Sequence, residues 1–195
     1  MTFGTPFQLD AMGYLFGILL GLFSGVTLTL MDRIEEHHII ERYKIQLAYL
    51  TALLAAVSAG LSINLFPVIY PFVFGLSLEW IVKNKVDFPS HVFSVFLIAL
   101  YLGWRMDLFW QYAPQIVFFL LLRFVSGTLL RRRLSAQSSR LMHWYYTSYL
   151  EKFVCNILLA CALQSFFVII FGAGFAVACY QVKRMLPGIH QVAAA

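Results

Sequence analysis

Charged residues are few. Asp, Glu, Lys and Arg fill 12% of the 195 positions, about half the share of an ordinary soluble domain. Beside 61% hydrophobic residues and a mean hydropathy of +0.79, that scarcity excludes a soluble fold, which has no surface on which to hide so much apolar area. The long runs also lack the apolar/polar alternation of β-barrel strands. Only three cysteines occur, Cys155, Cys161 and Cys179. All fall in the last apolar run, at spacings that match neither a zinc motif nor CxxC, so they read as packing residues. No HExxH and no histidine-box series is present. The opening "MTFGTPFQLDAMGY" has no Lys or Arg, so the first apolar run is expected to be a retained span and not a secretory signal.

What is there is a series of apolar runs. A span needs about 20 mostly apolar residues. Residues 13–31, 45–65, 66–82, 90–104, 114–130 and 153–181 are the candidates. The expected fold is an all-α, polytopic transmembrane helix bundle of about six spans, one integral membrane domain over 1–195. The fourth run is short and could continue through Arg105 and Asp107. Pro114 is expected to open the fifth. Gly172 and Gly174 are the expected weak points of the long sixth run.

Lys and Arg orient the chain. With the loop after the first span cytoplasmic, ten Lys and Arg lie inside and three outside, with Arg123 in a span. This predicts an outside N-terminus in a plasma (inner) membrane. Six spans also put the C-terminus outside. Lys183 and Arg184 oppose that placement and leave a broken last segment open. The net charge of +5 then reports orientation and contact with anionic headgroups, not nucleic acid.

Small residues recur every four positions. Gly13, Gly17, Gly21 and Gly25 stripe the first span; Ala52, Ala56 and Gly60 stripe the second. Such stripes allow close helix approach, and the two are expected to face each other. The same pattern would serve a homo-oligomer or another membrane-protein partner.

Two ionisable residues fall inside spans, Glu79 and Arg123. They either snorkel separately to the interface or pair across it. After the fifth run, Arg131, Arg132 and Arg133 precede a segment in which Leu141, Trp144, Tyr145 and Tyr149 fall at helical spacing, with Arg140 elsewhere around the wheel. That is the pattern of an interfacial amphipathic helix that contacts lipid headgroups.

Four of the nine acidic residues and two of the five histidines crowd into "DRIEEHHIIERYK", residues 32–44. On a helix Glu35 and His38 share a face. Glu-x-x-His is a ligand spacing in di-iron bundles, which need a second copy. The nearest complement is "KVDFPSH", with Asp87 and His91. Glu35, His38, Asp87 and His91 are therefore the candidate ligands of a divalent metal, set against the reading of a solvated loop. Two functional classes remain. One is a non-enzymatic transporter-like protein or membrane-complex subunit. The other is a membrane-surface, metal-dependent enzyme acting on a lipid or lipid-linked substrate at the cytoplasmic face.

Overall fold

The computed structural model describes residues 10–36, 42–82, 88–125 and 150–186. Among them every regular element is helical. The elements are α1 (Ala11–Glu36), α2 (Lys44–Leu65), a 3₁₀ turn (Pro67–Ile69), α3 (Tyr70–Val82), α4 (Pro89–Trp104), α5 (Met106–Phe124), α6 (Leu150–Leu163) and α7 (Phe167–Met185). α1, α2 and α7 are long and apolar enough to cross a bilayer, and α4 with α5 forms a further apolar pair bent by 100°. These helices are compatible with an integral membrane protein. α1 starts where Asp10 accepts a hydrogen bond from the Gly13 amide at 2.7 Å, which satisfies one of its free N–H groups.

The composition of α2 is turned inside out relative to a soluble helix. Its buried positions include Ala48, Ala52, Ala55, Ala56, Ser58, Gly60 and Ser62. Its exposed ones include Ile45, Leu50, Leu53, Val57, Leu61 and Leu65. Small residues inside let backbones close up, and large apolar residues outside suit lipid.

Contacts fix the helix directions. Gly21 faces the Phe171 carbonyl, Gly25 faces the Phe175 carbonyl, and Arg33 reaches the Lys183 carbonyl. α1 and α7 therefore run parallel, with a constant offset of 150 residues along the stripe. Ser24 donates to Ser58 at 2.9 Å across the pair α1 and α2, which is antiparallel: α2 runs with α4, Tyr49 beside Phe93 and Gly60 beside Tyr101, and the start of α4 meets the end of α1. α3 and α5 run parallel: Gly75 faces Phe119, and Glu79 meets Arg123. α4 runs against α3, with Tyr70 donating to the Leu102 carbonyl at one end and Trp80 beside His91 at the other.

The core lies where α3, α5, α6 and α7 meet, and Phe72 is at its centre. Its ring lies 6.2 Å from Phe119, 5.9 Å from Phe171 and 6.1 Å from Phe175. The last two contacts are edge-to-face, which suits the ring quadrupoles.

Several sequence expectations are corrected. The glycine stripe of α1 meets α7, not the stripe of α2; Gly60 instead faces the Tyr101 ring of α4. Periodicity marks a close-packing face but not which helix fills it. The third run yields only 13 α-helical residues, about 20 Å at 1.5 Å per residue, because Pro67 follows the end of α2 and a 3₁₀ turn intervenes. α5 begins at Met106, and Pro114 lies inside it; proline in a helix costs one hydrogen bond without always ending it. The sixth run is two helices. It breaks at Gln164, in the left-handed region at φ 50°, and not at Gly172 or Gly174. The amide of Ser165 donates to the Ala160 carbonyl and that of Gln164 to the Cys161 carbonyl, the bonding of a Schellman motif. Asn156 packs against Gly172, so α6 and α7 fold back on each other. The basic amphipathic segment, including Arg131, Arg132, Arg133 and Arg140, lies outside the described residues.

Candidate functional site

The parallel and antiparallel directions bring the C-terminal ends of α1, α3, α5 and α7 together with the N-terminal end of α4. Two groups of ionisable side chains gather at this end, all largely buried except Asp32, which is 27% exposed.

The first is Glu79 with Arg123. Both Nε and Nη2 of Arg123 donate to Glu79 Oε2, the Nε bond at 2.8 Å. Arg123 is 6% and Glu79 12% exposed. The packing one turn earlier sets the register. Gly75 leaves room for the Phe119 ring, and four residues further along both helices the two charged side chains meet. A buried charge left unpaired would cost several kcal/mol, roughly 3–5 when one partner is removed. The pair therefore ties α3 to α5 in one register.

The second group joins α1 to α4. His91 is 1% exposed. Its Nε2 lies 3.3 Å from Asp32 Oδ1 and 4.0 Å from Glu35 Oε2. Phe88 stands edge-on to the imidazole with ring centres 5.4 Å apart, and the Trp80 ring lies at 6.3 Å. Trp80 follows Glu79 in sequence, so α3 carries both groups side by side. Ser90 and Ser94, one turn apart on α4, are fully buried, and their hydroxyls have no hydrogen-bond partner among the described residues.

Arg33 completes this end. It is 5% exposed and donates from Nη2 to the Lys183 carbonyl at 3.4 Å. That carbonyl belongs to the last turn of α7, where helix C=O groups lack intrahelical partners. A cation at a helix C-terminus is favourably placed.

Of the four expected metal ligands, Glu35 and His91 come together, while His38 and Asp87 lie outside the described residues. Among the described residues, no three His, Cys, Asp or Glu side chains form a group that could hold a metal ion. Asp32 was not among the expected ligands, although its spacing of three from Glu35 puts both on one face. Trp80 carried no sequence signal; only the approach of α3 and α4 sets its ring beside His91.

Comparison with protein-family models, with curated proteins and with solved structures finds no match.

Proposed function

We propose that this chain is a multi-pass protein of the plasma (inner) membrane, with its N-terminus outside, that works as a transporter-like bundle without catalysis. The observation that carries this reading is the gathering of two ionisable groups, the largely buried Glu79–Arg123 pair and the buried His91 and Glu35 with the half-buried Asp32, at one end of an otherwise apolar bundle. Ionisable residues inside membrane helices are costly and mark ion or substrate paths. The buried hydroxyls of Ser90 and Ser94 add polar groups beside the second cluster.

The helix directions favour a revision of the six-span topology. α1 and α7 run parallel, so α7 ends on the side where α1 ends. Lys183 and Arg184 then move inside, and the basic count changes from ten against three to twelve against one. That is the stronger form of the positive-inside bias. Among the described residues, seven helices of alternating direction fit this arrangement, with α6 and α7 as the last two.

The test is flux in proteoliposomes, read with a pH-sensitive dye and with labelled sodium or potassium. Wild-type flux above that of empty liposomes supports the reading. Flux equal to that of empty liposomes turns it towards a subunit of a membrane complex. The approach of Glu35 to His91 favours the enzyme class as a second reading. Stoichiometric metal in purified protein, lost in His91→Ala, would select that class over the first.

A further inference from the structure

The corner between α4 and α5 lies at the end of the bundle opposite the charged cluster. It combines two features that rarely share a surface. Trp104 and Trp110 are 79% and 72% exposed, and they stand on either side of the bend. Between them Arg105 and Asp107 make two hydrogen bonds, Nε to Oδ1 and Nη2 to Oδ2, each 3.2 Å. Asp107 is 62% exposed.

Water alone does not suit this corner, because two indoles of this size would stand unburied in it. The hydrocarbon interior does not suit it either, because an exposed carboxylate is costly there. The headgroup zone accommodates both: indole rings favour the membrane–water boundary, and the ion pair meets water and headgroups.

The corner is also held rigidly. Arg105 Nη1 donates to Asn64 Oδ1 at 3.2 Å, which ties the bend to the end of α2. Tyr70 donates to the Leu102 carbonyl at 3.0 Å, which ties it to the start of α3. Tyr101 stands edge-on to Trp104, and Phe109 edge-on to Trp110.

We propose that the α4–α5 corner is a membrane-interface anchor, with Trp104 and Trp110 seated among the lipid headgroups of the outer leaflet. This rests on the membrane reading above and adds to it a defined lipid contact. The corner has no net charge, since Arg105 and Asp107 cancel. Its seating is therefore independent of anionic lipid. It also makes α4 and α5 two separate passes, not one bent crossing.

The experiment uses the full chain in phosphatidylcholine vesicles that contain lipids spin-labelled either near the headgroup or deep in the acyl chain. Tryptophan fluorescence is compared between the wild type and the variants Trp104→Phe and Trp110→Phe. The difference signal reports each indole while the other tryptophans stay in place. The expected result is at least twofold stronger quenching by the shallow label than by the deep one, unchanged when a third of the lipid is phosphatidylglycerol. Stronger quenching by the deep label would overturn the proposal in favour of a re-entrant corner. Quenching by neither label would place the corner in water or against another protein and would also overturn it. Vesicle flotation separates the two readings: protein that fails to float refutes the membrane assignment, whereas protein that floats with unquenched indoles refutes only the anchor.

Discussion

Gly21 of α1 lies against the backbone of Phe171 of α7 so closely that a Cβ at that position would sit 2.6 Å from the Phe171 carbonyl oxygen. Gly25 repeats the contact one turn on, 2.5 Å from the Phe175 oxygen. Two helices from opposite ends of the chain are thus in backbone contact, and glycine permits it.

Replacing that glycine should separate them. Gly21→Ala is expected to destabilise the fold by about 1–3 kcal/mol, the usual range for overpacking. The neighbouring atom is backbone and cannot rotate away. Gly103→Ala is the control, because nothing lies within 4 Å of its Cβ position. There the gain in helix propensity of about 1 kcal/mol should appear instead. Unfolding midpoints in mixed micelles measure both. Equal effects at the two sites would contradict the α1–α7 contact.

The buried pair between α3 and α5 predicts a non-additive cycle. Glu79→Gln alone strands the Arg123 charge, and Arg123→Met alone strands the Glu79 charge. Each is expected to cost about 3–5 kcal/mol. The double variant should cost less than either single one, because no uncompensated charge remains. Additive losses would mean that the two side chains act separately.

The parallel run of α1 and α7 predicts where α7 ends. A cysteine introduced by Lys183→Cys, in a background lacking the three native cysteines, should resist a membrane-impermeant maleimide added to intact cells. It should react once the cells are opened, as a cysteine from Arg42→Cys should. Labelling of Lys183→Cys but not Arg42→Cys in intact cells would restore an even number of passes.

The corner ion pair predicts a pH dependence with a definite sign. The hydrogen bonds from Arg105 hold the Asp107 carboxyl below its ordinary value. A group lowered in the folded state adds stability above its unfolded pKa, about 3.9 for aspartate. That contribution fades as pH falls from there through the lower folded value. Arg105→Gln is expected to raise the Asp107 titration towards the ordinary range, read from its carboxyl carbon shift by NMR. An unmoved titration would remove Arg105 as the cause.

Much of the architecture was legible in the residues. The apolar runs mark the helices because a chain in lipid must satisfy its backbone internally. The four-residue spacing of Gly17, Gly21 and Gly25 marks a close-packing face for the same helical reason. The break at Gln164 was not legible. Its left-handed turn is a position where glycine is usual, and two glycines lay eight and ten residues further on as better candidates. The site was half legible. Glu35 and His91 stand out by composition, and Glu79 and Arg123 by their depth in apolar runs. Asp32 and Trp80 join them only by contact.

By itself the sequence determined that this is a chain of apolar helices, since hydropathy is a property of local composition. The tertiary structure decided which helices touch. It put α7 rather than α2 against the glycine stripe, folded the last run into two helices, and brought Asp32 beside His91. A stripe or a carboxylate specifies what kind of partner it accepts. Which of several chemically similar helices supplies that partner depends on how all of them pack together, and no single segment encodes that choice.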